Sequence, residues 1–204
     1  RHLSGGWVAE TEPQFFARLS IFKGGFGREA AAQIAEADLD LLASLASKSL
    51  IRRTDPGRYD LHEVVRQFGL SHLAEDPGCE EVYRRHSLYY LGLLADLESD
   101  VRGAGQPEAI QSLVKEKDNL WAAWGWAMEG GELALLQRAL RSFGWFCNVK
   151  GWLVEGIDLL EALIVSLRGG EKDLMAPAGR QAVLGQALAE QGQLLFRRGD
   201  FGQG

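Results

Sequence analysis

Apolar positions along this chain follow two patterns that change near residue 78. In the first stretch, Phe15, Phe16, Leu19 and Phe22 recur at helical spacing, behind Thr11-Glu12-Pro13-Gln14, which has the T-x-x-Q form of a capping box. Gly24-Gly25 ends that helix. The spacing predicts a second short helix over Arg28 to Ala35. A third starts near Asp38, with Leu39, Leu42, Leu45 and Ala46 along one face. Leu50-Ile51-Arg52-Arg53 and Arg58-Tyr59-Asp60-Leu61 read as two short strands around a Pro-Gly turn. A fourth helix is expected from His62 to about Leu73, with Val64, Val65, Phe68 and Leu73 inward. Three helices, a small wing and another helix make a winged-helix arrangement over residues 1–78.

Asp76-Pro77-Gly78 breaks that pattern, and residues 79–204 read as helical throughout. Val82 to Leu97 marks one helix and Ile110 to Met128 the next, closed by Gly130-Gly131. Leu133 to Val149, Trp152 to Leu167 and Arg180 to Arg198 follow, with Gly169-Gly170 and Pro177 punctuating the longest connection. Gly144, Gly151 and Gly156 are spaced as Gly192, Gly199 and Gly204 are, 48 residues later. Glycine within a helix admits a close neighbour, and glycine in the loop permits a tight turn. Gly199-Asp200-Phe201 matches the turn of a tetratricopeptide repeat. Gly156 and Gly204 stand where that repeat has Ala, and the period exceeds its 34 residues. The expected fold class is therefore mainly α: a winged helix, then a tetratricopeptide-like α-solenoid truncated at its C-terminal end.

Composition adds exclusions. Net charge is −6, with 46% hydrophobic and 25% charged residues, ordinary for a chain with a real core. No apolar run suits a membrane span and no secretion leader is visible, so no membrane partner is expected. Cys79 and Cys147 lack metal-ligand spacing, and a cytoplasmic setting is expected. No phosphate-cradling loop, Ser/His/acid set or H-E-x-x-H is present, so the chain reads as no enzyme, with no cofactor or metal of its own. The six tryptophans read as core filling, as do Phe146 and its neighbours Trp145 and Trp152, the alternative being an exposed contact surface. His2, His72 and His86 read as surface or satisfied residues. A chain that starts at Arg1 and stops at Gly204 is expected to be a piece of a longer polypeptide.

A winged helix raises DNA binding, in which the third helix presents Arg, Lys, Asn or Gln to base edges. The segment from Asp38 to Lys48 offers one cation at its end and two aspartates at its start. Arg52, Arg53 and Arg58 on the wing could touch phosphate. On this balance nucleic acid is not expected as a partner. A transcription regulator, whose winged helix binds DNA while the repeats read an effector, is the rival. His62, at the strand-to-helix junction, has two readings. It starts a helix with its imidazole bonded to nearby backbone, or it donates a hydrogen bond to the phosphate of a ligand held by a neighbouring domain.

Leu19-Ser20-Ile21-Phe22-Lys23-Gly24-Gly25-Phe26, Leu45-Ala46-Ser47-Lys48-Ser49-Leu50-Ile51 and Leu61-His62-Glu63-Val64-Val65-Arg66-Gln67-Phe68 resemble the winged-helix arm of bacterial STAND-class (NB-ARC or NLR-like) signalling NTPases. Arg84 to Leu91 and Glu116 to Ala123 are similar to the helices that follow it there. The resemblance implies that Leu61-His62-Glu63 stands for the family's Met-His-Asp motif, with His62 as a nucleotide sensor supported by Leu61 and Glu63. It further implies ADP or ATP with Mg²⁺ in a parent ATPase, and an arm that clamps the nucleotide-binding domain of the same polypeptide in the ADP state. The repeats would bind an unknown protein or ligand, with oligomer assembly on activation.

Overall fold

The computed structural model describes residues 12–103, 105–169 and 177–199. His2, Thr11 of the expected capping box, Gly170, and the Asp200, Phe201 and Gly204 positions of the repeat lie outside them. The described chain is mainly helical with one small antiparallel sheet. It divides into two compact units, one running through His86 and the other starting at Ser87.

The first unit runs α1 (Glu12–Leu19), β1 (Phe26–Gly27), α2 (Arg28–Ala35), α3 (Leu39–Ser47), β2 (Arg52–Asp55), β3 (Arg58–Asp60) and α4 (Glu63–Glu75), then the start of α5 (Cys79–Asp96). The sheet has the order β1-β3-β2, antiparallel throughout. The two-strand hairpin expected from the sequence is thus a three-stranded sheet. Its extra strand is only two residues long, too short for period-2 alternation to register. Gly25, at φ +87°, makes that pairing possible, because a Cβ there would stand 2.9 Å from the Tyr59 carbonyl oxygen. Phe22 and Phe26 stack at 4.4 Å, Phe26 and Tyr59 at 6.0 Å, and with Leu19, Ile34, Leu42 and Leu45 they form the core.

The inward face of α4 differs from expectation. Val64 is 71% exposed and Phe68 61%, whereas Gly69 and Leu73 are buried. The cause is Gly69, whose Cβ would fall 1.8 Å from Ser20 Oγ, so α4 closes on the α1 side along that glycine. Around the helix, Phe68 lies about 100° and Val64 about 140° from Gly69, away from the buried line. Leu39 likewise stands exposed at the start of α3.

From Ser87 onward the second unit holds the rest of α5, then α6 (Glu98–Arg102), α7 (Gln106–Lys115), α8 (Lys117–Glu129), α9 (Leu133–Lys150), α10 (Leu153–Gly169) and α11 (Pro177–Arg198). The single helix expected over Ile110 to Met128 is two. Glu116 (φ −104°, ψ 8°) donates its N–H to Leu113 one residue short of the α register, while its carbonyl accepts from Leu120 at 2.8 Å. The helix α6 was not anticipated. Trp124 is fully buried and stacks on Phe143 at 4.2 Å. Gly151 (φ +72°) and Gly199 (φ +92°), 48 residues apart, sit just past the ends of α9 and α11 in the left-handed conformation that terminates helices. Gly144 and Gly156 are points of close approach, to Glu190 and to Cys147 with Leu194.

Candidate functional site

The strand-to-helix junction of the first unit gathers the residues singled out from sequence, but it does not bring their side chains together. Leu61 is buried in the core. His62 is the N-cap of α4 (φ −64°, ψ 139°), and its Nδ1 accepts the Val64 N–H at 3.4 Å. A ring that accepts at Nδ1 carries its proton at Nε2 when neutral, leaving one exposed donor. Glu63 turns along its own helix to Arg66 (2.8 and 2.9 Å) and Gln67 (2.6 Å). Arg66 first, then Gln67, holds the Glu63 carboxyl down to about 2. The helix-cap reading of His62 is what the geometry displays, and Glu63 is occupied by a local ion pair.

Beside this junction lies the wing. All four residues of β2 are exposed, as edge-strand positions with charged side chains commonly are. Arg52 reaches Asp60 through Nη2 (2.6 Å) and Nε (3.1 Å), and Arg58 Nη2 donates to the Gly24 carbonyl at 3.4 Å. Asp55-Pro56-Gly57 turns the hairpin, with Gly57 at φ +77° and a register shift between Arg53 and Asp55. The Arg28 N–H bonds the Gly57 carbonyl at 3.0 Å, which puts the exposed Arg28 against the wing turn. Lys23, also exposed, lies close enough to Glu63 to help hold its carboxyl down. Arg28 and Lys23 were not among the sequence candidates. The signal lay in β1: once Phe26 and Gly27 pair with β3, the cations flanking them belong to the wing.

The third helix offers little to base edges. Asp38 caps it by accepting the Leu41 N–H at 2.8 Å, and its exposed positions are Leu39, Asp40, Ala43 and Ser47. Lys48, the one cation at its end, is paired with Glu12, which also accepts from Ser44 at 3.1 Å.

An aromatic group in the second unit resembles a cation cage, but it has an internal occupant. Lys117 Nζ stands 4.2 Å from the Trp152 ring centre and 5.5 Å from that of Trp121, with Glu155 at 3.6 Å. Phe146 is buried between, edge-on to Trp152. Burial pushes the nearby Cys147 thiol up to about 12. Among the described residues no group of His, Cys, Asp and Glu is arranged to hold a metal, and no helix is long and apolar enough to cross a membrane.

Comparison with known proteins points elsewhere than the sequence resemblance. Proteins from Mycobacterium tuberculosis and Mycobacterium bovis, each carrying the name "Putative HTH-type transcriptional regulator", are 31% identical to this chain over 197 residues. The match takes in 92% of the chain and 22% of each relative, so the chain spans about a fifth of the length of the curated relatives it matches. No family model and no solved structure matches the chain. The expectation of a STAND-class signalling NTPase is therefore corrected: the relatives are named as transcriptional regulators of the HTH type. The expectation that nucleic acid is no partner falls with it. That expectation rested on the charge of α3 and the net balance, with the three wing arginines set against them as side chains that are commonly just solvated.

Proposed function

We propose that this chain is a non-catalytic part of an HTH-type transcriptional regulator. In this reading the first unit is a winged helix that touches DNA, and the second is a tetratricopeptide-like helical array that receives an effector. The observation that carries the proposal is the 31% identity to regulators of that name along 92% of the chain. The order α1-β1-α2-α3-β2-β3 with a small antiparallel sheet supports it, being the order a winged helix requires.

The side chains suggest which kind of DNA contact this is. Base reading needs bidentate donors on the helix in the major groove. The exposed residues of α3 supply an aspartate, a leucine, an alanine and a serine instead. Arg52, Arg53 and Arg58 on the wing, with Lys23 and Arg28 at its base, supply phosphate-binding charge. The contact proposed is therefore to the DNA backbone, tolerant of sequence and led by the wing. His62 caps α4 and stands at the edge of this surface with its Nε2 donor.

Fluorescence anisotropy of a labelled duplex of about 25 base pairs tests the reading. The 204-residue protein should bind duplexes of unrelated sequence with similar affinity at low salt. Replacing Arg52, Arg53 and Arg58 together with Gln should weaken binding about tenfold or more, whereas Ser47→Ala on α3 should change it little. Absence of duplex binding at 50 mM salt would sink the proposal.

A further inference from the structure

The second unit carries an exposed helix face whose counterpart, one repeat earlier, is covered. Along α11 the exposed positions Gly185, Leu188, Ala189, Gly192, Gln193 and Phe196 recur at helical spacing without a charge among them. Phe196 is 66% exposed and Leu188 38%. A surface helix ordinarily turns polar residues to water, so an uncharged face over three turns is the kind that another element covers. Beside it, Asn148, Ala189, Gly192, Gln193, Phe196 and Arg197 line a groove of about 410 Å³.

The register of the chain indicates what fits there. Shifting by 48 residues maps Gly151 onto Gly199, both in the left-handed conformation just past their helices. The same shift maps Phe143 onto Gln191 and Phe146 onto Leu194, all buried. It also maps Leu140 onto Leu188 and Gly144 onto Gly192, and here the two helices part. Leu140 is 0% exposed, and a Cβ on Gly144 would meet the Glu190 carboxylate of α11 at 2.2 Å. A Cβ on Gly192 would meet nothing within 4 Å among the described residues. Two turns along, Arg197 Nε donates to Asn148 at 2.9 Å, and Asn148 maps onto Phe196. The α9–α11 interface therefore continues, one repeat on, as an exposed surface of matching layout.

We infer that the Leu188–Gly192–Phe196 face of α11 is the stacking surface for one further helical repeat of the same kind. The occupant is a helix laid on α11 as α11 is laid on α9. It presents a Glu-like side chain over Gly192 and, seven residues later, an apolar side chain over Phe196. The relatives, of which this chain matches 22%, have ample length for such a unit. This inference stands apart from the DNA reading, since it concerns no residue of the wing.

The test supplies the occupant from the chain's own sequence. A copy of residues 152–199, with Arg197→Leu in the copy, is appended after Gly199, which presents a second α11 to the first with Glu over Gly192 and Leu over Phe196. Gln193→Cys, in a Cys79→Ser background, reports on the groove, because Cys147 is buried and stays unreactive. Labelling of Cys at 193 should slow at least tenfold in the extended chain relative to the 204-residue chain, and Gly192→Leu should restore the faster rate. Equal labelling rates in the two chains, or an appended unit that adds no helix by circular dichroism, overturns the inference. Concentration-dependent protection in the 204-residue chain would assign the face to a second copy and overturn it as well.

Discussion

The two units close their cores by different means. The first has short elements, and apart from the close approach of α4 at Gly69 its joints are turns and ion pairs. Glu36 stands in the left-handed region at the end of α2 (φ 58°), where Gly is usual, and its carboxylate bridges Arg18 at 2.6 Å and Arg85 at 2.8 Å. Arg85 continues to Glu81 at 3.0 Å. The second unit has helices of up to 22 residues and joins them by close approach at Gly144 and Gly156 around an aromatic core. The comparison teaches where each unit is vulnerable. Charge and turn geometry position the wing of the first, so acid and salt should reach it. Volume positions the helices of the second, so truncation should.

The largest effect is expected in the second unit. Trp124→Ala empties a fully buried site stacked on Phe143 and should cost about 3–5 kcal/mol, read as a lower urea midpoint by tryptophan fluorescence. A loss below 1 kcal/mol would mean that this core is not volume-limited. Next comes a pair of glycine substitutions that sharpens the contrast between crowded and open sites. Gly69→Ala drives a methyl into Ser20 and should destabilise by about 1–3 kcal/mol, whereas Gly192→Ala meets nothing within 4 Å among the described residues and should stabilise α11 by about 0.5–1 kcal/mol. Equal effects from the two would break the contrast.

Acid should separate the units by mechanism. Glu63 and Glu81 are both held down to about 2, the first chiefly by Arg66 and the second chiefly by Arg84. A carboxylate with a depressed folded-state pKa contributes stability above its ordinary value of 4.5 and loses it as pH falls toward 2. Amide-exchange protection in α4 and early α5 should therefore fall between about pH 4 and 2, and added salt should blunt the change because both groups are exposed. Unaltered protection over that range would refute the ion-pair account. The smallest signal is chemical. With its thiol pushed up to about 12, Cys147 should resist alkylation at pH 8 until the chain unfolds, so native protein should label only at Cys79.

Long-range periodicity was legible in the sequence, and local exceptions were not. Helices α9, α10 and α11 fall within a few residues of the apolar pattern because each buries a continuous stripe. The break at Glu116 escaped notice because no Gly or Pro marks it; a shift of hydrogen-bond register and a buried Asn119 make it. The strand β1 is too short to show a period. Val64 and Phe68 fit the inward pattern of α4 as well as the true buried line does, and the decisive residue was Gly69, which has no side chain to score. At the candidate site, the sequence marked His62 and the wing arginines. It could not show that Glu63 is committed to Arg66, or that Lys23 and Arg28 stand beside the wing.

The central claim is that the wing meets phosphate while α3 reads no bases. The salt dependence of duplex binding measures this most directly, because each phosphate contact adds about 0.9 to the slope of log K against log salt. The Arg52, Arg53 and Arg58 triple-Gln variant should show a slope shallower by about 2–3 than the parent chain, by anisotropy between 50 and 200 mM salt. Identical slopes in the two proteins would contradict the account.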